Sequence, residues 1–162
     1  MTPDQDTLLA RVFARLNERE HQVLSLTPEQ LQTGLRPEQL SHHGTLHVRL
    51  ADSHFLAALA GQSGNDGAVA SVLTALAWGL QVHISLHSQL LGCLPLKALA
   101  RMPVVFRDHQ GRQIWLLTQA LLSYRDIAQK HNGWLVVSNK MRLTPLAKET
   151  LVSHQLLLVR QE

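Results

Sequence analysis

GLQVHISLHSQLLGCLPLKALARMP, residues 79–103, decides how the chain is built. It opens with period-two alternation: Leu80, Val82, Ile84 and Leu86 point one way, Gln81, His83, Ser85 and His87 the other. That is a strand with one strongly apolar face. Leu90, Leu91, Leu94, Leu96 and Leu99 follow around Pro95, and Pro103 closes the segment. The unit reads strand, connection, short helix. It contains no nucleophile set, metal-ligand set or phosphate loop, so residue chemistry alone names no function.

Working outward, the same alternation of elements recurs. Upstream, Leu46, Val48 and Leu50 alternate as a short strand, and Asp52 or Ser53 caps a helix that Gly61 ends. The loop QSGNDG, residues 62–67, leads into AVASVLTALAW, apolar nearly all round, with Gly79 placed to terminate it. Such a helix belongs between layers. Downstream, residues 104–107 and 112–117 flank Asp108-His109-Gln110-Gly111, whose Asp and Gly suit a four-residue hairpin turn. Ser123 with Asp126 caps a helix to about His131; residues 134–137 read as a buried strand. Thr144-Pro145 starts a helix to about Ser153, and Leu156–Val159 gives a last strand. The expectation is a single α/β domain with a mostly parallel, mixed sheet flanked by helices.

The N-terminus reads as an amphipathic helix set apart, residues 1–22. Thr2 serves as N-cap, Pro3 as first helical residue and Gln5 as reciprocal partner. Leu8, Leu9, Val12, Phe13 and Leu16 form its apolar stripe. Residues 23–44 carry Pro-Glu-Gln-Leu twice, around Gly34, and read as a helical connector; residues 45–162 are the α/β domain. The stripe fits a groove on a partner at helix-in-groove spacing, against the alternative that it packs on its own domain.

Composition narrows the class. At 162 residues with 45% hydrophobic and 17% charged residues, the chain is globular with an ample core. Cys93 is the only cysteine, so no intrachain disulfide can form, and a reducing cytosolic setting is expected. The acidic start MTPDQD lacks the basic region of a secretory signal, and no apolar run reaches the ~20 residues of a membrane span. Residues 1–66 hold five Lys/Arg against eight Asp/Glu, net −3; residues 67–162 hold ten against four, net +6. Those basic residues are dispersed, with no stacking aromatics between them, which speaks against nucleic acid.

Individual residues give no catalytic constellation. The ten histidines meet no zinc spacing. His83 and His87, four apart on one strand, would stand roughly 13 Å apart. Cys93, between Gly92 and Leu94, reads as a small buried thiol. Gly61, Gly64 and Gly67 follow a helix and not a strand, and Asp66 repels phosphate, so a turn plus N-cap is expected there.

Several strings together resemble the PduM family of bacterial propanediol-utilisation microcompartments. They are the N-terminal helix with Leu8, Val12 and Phe13, LHVRL at 46–50, ALAWGLQVHISLHSQLL at 75–91 and LPLKALARMP at 94–103. DHQGRQIWL at 108–116, LLSYRDIA at 121–128, GWLVV at 133–137 and LTPLAKE at 143–149 complete the set. TPEQLQTGLRPEQLSHHG, residues 27–44, does not match. The resemblance implies a non-catalytic structural or assembly protein of a microcompartment in the bacterial cytoplasm, contacting shell or core proteins and needing no cofactor.

A different class stays open from the residues themselves. A parallel sheet places ligands beyond the carboxyl ends of its strands. A flavin- or nucleotide-like cofactor would then meet the loops 85–89 and 139–144, with His87 and Thr144 as polar contacts. The apolar last strand, near a terminus, reads as an edge that needs cover, which points to a homodimer through it.

Overall fold

A computed structural model describes residues 3–161. The chain opens with α1 (Pro3–Glu20), β1 (Val23–Leu26), α2 (Pro28–Leu31), α3 (Pro37–His42), β2 (Thr45–Ala51), α4 (Ser53–Ala60), α5 (Gly67–Ala77) and β3 (Gln81–Leu86). A 3-10 segment η1 (Ser88–Cys93), α6 (Leu96–Ala100), β4 (Val104–Asp108) and β5 (Gln113–Leu117) follow. The chain closes with β6 (Leu121–Leu122), α7 (Tyr124–Ile127), β7 (Trp134–Ser138), β8 (Arg142–Leu143), α8 (Pro145–Ser153) and β9 (Leu157–Gln161).

Seven strands form one sheet in the order β1-β2-β3-β4-β5-β7-β9. β1 to β4 run parallel, the β4–β5 hairpin reverses the direction, and β5, β7 and β9 run parallel again. The sheet is thus two parallel runs of opposite sense, as a mostly parallel sheet with one hairpin was expected to be. The hairpin turn is built by its own residues: the Gly111 amide donates to the Asp108 carbonyl, and Gly111 takes φ +83°, a left-handed value open to glycine.

Helix starts are set by side-chain caps, those at Asp52, Asp66 and Thr144 as read from the sequence. Asp52 accepts from the Phe55 amide at 2.7 Å, Thr27 and Gln30 cap reciprocally, and Thr144 accepts from the Ala147 amide. Asp66 accepts from the amides of Ala68 and Val69, which satisfies the amino end of α5 from within. The expected Thr2 cap of α1 lies outside the described residues.

Three local expectations fail. Val23–Leu26, read as part of a helical connector, is edge strand β1. Its alternation, Leu24 and Leu26 inward against Val23 and Ser25 outward, is too short to register as a strand between two helical stretches. The helix after Ser123 stops at Ile127, not His131. Cys93 is exposed, because it ends η1 with its thiol donating to the Leu90 carbonyl and not facing the leucines around it.

The two faces of the sheet are covered unequally. On one, Leu46, Val48, Val82, Ile84, Phe106, Ile114 and Val136 pack with buried residues of α2, α4, α5, η1 and α6. On the other, α7 and α8 cover only the β5-β7-β9 run, burying Leu135, Val137, Ile127 and Ala147 beside Trp115 and Leu117. Over β1–β4 that second face carries Ser25, His47, His83, Ser85 and Arg107, none of them buried. A parallel sheet ordinarily has both faces covered. Here half of one face is left open.

Candidate functional site

Two features stand out from this frame, one before the amino ends of β2 and β3 and one along the open face of β1–β4. The first is α1. Its expected stripe, Leu8, Leu9, Val12, Phe13 and Leu16, is exposed throughout, Leu8 and Phe13 at 62% and 61%. The helix does not lie on the rest of the fold. It is held at its carboxyl end, where Arg19 donates to the carbonyls of His43, Leu40 and Trp78 at 3.0, 3.2 and 3.1 Å. Gly44 meets the same point: a Cβ there would stand 2.6 Å from the Arg19 carbonyl oxygen, so only glycine lets the backbones approach this closely. The anchor sits before the amino ends of β2 and β3.

The second feature is a groove of about 1000 Å³ along the open face of β1–β4 and over the carboxyl ends of β2, β3 and β4. Parallel register sets its floor. His47 stands opposite His83, and Ser85 opposite Arg107. His47 bridges neighbouring strands through Ser25 Oγ at 3.3 Å and Ser85 Oγ at 2.7 Å. Burial, then the guanidinium charges of Arg49 and Arg107, hold His47 below its usual pKa of 6.5. His83 is lowered by burial, then by Arg107 and His47. Both imidazoles are therefore mainly neutral at pH 7, and the standing positive charge belongs to the two arginines. At the rim the rings of His87 and His109 stack, 4.2 Å apart and nearly parallel.

The acids near this groove are already committed. Asp52 caps α4. Asp108 accepts from the amides of Gln110 and Arg112 at 2.9 and 2.8 Å, from Arg112 Nε at 2.9 Å and from Trp134 Nε1 at 2.9 Å. Burial pushes its carboxyl up, but the Trp134, Arg112 and Gln110 donors outweigh that and hold it below its ordinary value. Among the described residues no group of three His, Cys, Asp or Glu could hold a metal ion, and no helix is long and apolar enough to cross a membrane.

His87 lines the groove and also caps η1, accepting from the Gln89 amide. Thr144 caps α8 and is not among the lining residues. The hairpin explains the separation: because it reverses strand direction, the loops after β3 and after β7 emerge at opposite ends of the sheet. The expectation of His87 and Thr144 as shared contacts put both loops at one end, although the mixed sheet it started from already held the reversing hairpin. It also passed over His47, Arg49 and Arg107 as site residues, since their meeting depends on the β2-β3-β4 register. The available signal was the polar side of β3, His83 and Ser85, in a sheet otherwise apolar.

Comparison with known proteins bears on the whole chain. A family described as propanediol utilisation matches residues 7–157. A protein of Salmonella typhimurium strain LT2 named bacterial microcompartment assembly protein PduM is 35% identical over 155 residues, covering 96% of this chain and 95% of the relative. A protein of Citrobacter freundii with the same name is 35% identical over 156 residues, covering 96% and 95%. No solved structure matches.

Proposed function

The chain belongs to the PduM family of propanediol-utilisation proteins, and from that membership we propose that it is a non-catalytic assembly factor of a bacterial microcompartment, docking on shell or core proteins through α1. The observation that carries the docking role is the stripe Leu8, Leu9, Val12, Phe13 and Leu16, left exposed on a helix that Arg19 holds at its carboxyl end. An amphipathic helix seated in a partner groove buries such anchors at i, i+3, i+4 spacing. Each contributes roughly 1–3 kcal/mol of contact, less the cost of association. The relatives' printed names, assembly proteins of a microcompartment, agree with this reading and with residence in that organelle within the cytoplasm.

A fluorescent protein carrying residues 1–22 tests the docking role. It should concentrate at microcompartments when propanediol induces them, and the pair Val12→Asp and Phe13→Asp should leave it diffuse. Uniform cytosolic fluorescence of the unmutated fusion would refute docking through α1.

The same reading extends to self-association at the β9 edge. Among the described residues β9 pairs only with β7, and its Leu157 is 43% exposed. Light scattering should give twice the 18.1 kDa chain mass; a monomer at crystallisation-level concentration would dispose of the dimer.

A further inference from the structure

We propose that the groove over β1–β4 is a binding site for a small organic oxyanion, a phosphate monoester or a carboxylate with an apolar body, held by Arg49 and Arg107. This does not rest on the assembly role. Four observations converge on it.

The first is unanswered charge. Among the described residues neither guanidinium makes a hydrogen bond or an ion pair; both line the groove, Arg49 close enough to depress His47 and Arg107 close enough to depress His47 and His83. Of the two acids at the rim, Asp52 accepts from one α4 amide, that of Phe55, and Asp108 accepts from four donors. Neither rim carboxylate forms an ion pair with Arg49 or Arg107, so both guanidinium forks stay open to a ligand. Planar guanidinium forks suit carboxylate and phosphate oxygens better than any other ligand group.

The second is the state of the histidines. His83 has no hydrogen-bond partner among the described residues and stands in the floor between His47 and Arg107. A neutral imidazole there offers an N–H donor to an anion seated between the guanidiniums.

The third is backbone strain at the rim. Leu50 adopts φ +54°, a left-handed value that bulky side chains rarely take, and its side chain is 79% exposed. It lies where the β2–β3 register slips between Val48 and Ala51, so a bulge carries Arg49 and Leu50 at the groove's edge. Bulges of this kind re-aim side chains beside sites.

The fourth is shape. Leu50 and Leu90 give the groove apolar walls beside its basic floor, and about 1000 Å³ holds a small molecule whole. A concave site with a charged head region and apolar walls selects an amphiphilic anion.

Isothermal titration of the full chain with phenyl phosphate, benzoate, inorganic phosphate and benzyl alcohol tests this. Phenyl phosphate or benzoate should bind saturably with Kd below about 1 mM, and the tighter of the two identifies the head group. Inorganic phosphate should bind at least about tenfold more weakly, for want of the apolar walls, and neutral benzyl alcohol should not bind. Arg49→Gln with Arg107→Gln should abolish binding while leaving the melting temperature unchanged, since neither side chain has a partner to lose. Arg142→Gln, on β8 of the separate two-stranded β6–β8 sheet and away from the groove, should bind like the parent. The proposal is overturned if neither aromatic anion saturates, if benzyl alcohol binds as well as they do, or if the double arginine variant binds normally.

Discussion

Asp108 shows how much one residue can hold. Its carboxylate receives two backbone amides of the β4–β5 turn on one oxygen, and Arg112 Nε with the Trp134 indole on the other. Asp108→Asn turns an amide N–H toward donors that need an acceptor, and should cost about 2–3 kcal/mol in urea melts at pH 7. The pH dependence has a definite sign. The native carboxyl is held below 3.8, so the unfolded chain takes up its proton first as acid is added. The Asp108 contribution is complete above about pH 5 and is lost as pH falls through 3.8 toward the lowered native value. The parent should therefore lose stability over that window more steeply than the Asn variant; parallel curves would show that Asp108 has no such role. Its place in the turn was legible, because Asp and Gly at 108 and 111 spell a hairpin loop. The Trp134 bond was not, since it arrives from a strand two positions across the sheet.

At the scale of the element, α1 and β1 separate what a sequence shows from what it hides. The stripe of α1 is plain from spacing, but whether it faces its own domain or solvent depends on where the chain turns after Glu20. Arg19 settles that turn by binding three carbonyls from the segments before β2 and after α5. Deleting residues 1–22 should leave one cooperative unfolding transition with a midpoint within a few degrees of the parent, because the stripe buries nothing in the fold. Aggregation or a broad transition would assign the stripe to the core. Arg19→Ala should loosen the hinge, seen as faster limited proteolysis around His21 and Gln22, with a smaller change in global stability. Unchanged cleavage would mean the anchor lies elsewhere. β1, by contrast, has four residues and one exposed edge, and only pairing with β2 gives it strand character.

For the whole molecule, the decisive feature is the reversal at the β4–β5 hairpin. Two parallel runs of opposite sense put their loop ends at opposite ends of the sheet, and α7 with α8 cover only the second run. Caps, buried strands and the mixed sheet were readable because each is written in local spacing. The half-open face was not, because it follows from which helices lie on which side, a property of no single segment. That layout leaves the molecule an exposed apolar helix before the amino ends of β2 and β3 and a basic groove along the open face, with the main core packed on the opposite face of the sheet. The proposed docking through α1 asks for such a stable body with its apolar helix left exposed. The most direct test is to purify microcompartments from propanediol-induced cells that express either the full chain or its Val12→Asp, Phe13→Asp variant, and to measure the fraction of each that sediments with the shells. The parent should enrich with the shells and the equally well-folded variant should stay in the supernatant; a parent that never sediments with them, or a variant that sediments as well as the parent, would contradict assembly through α1.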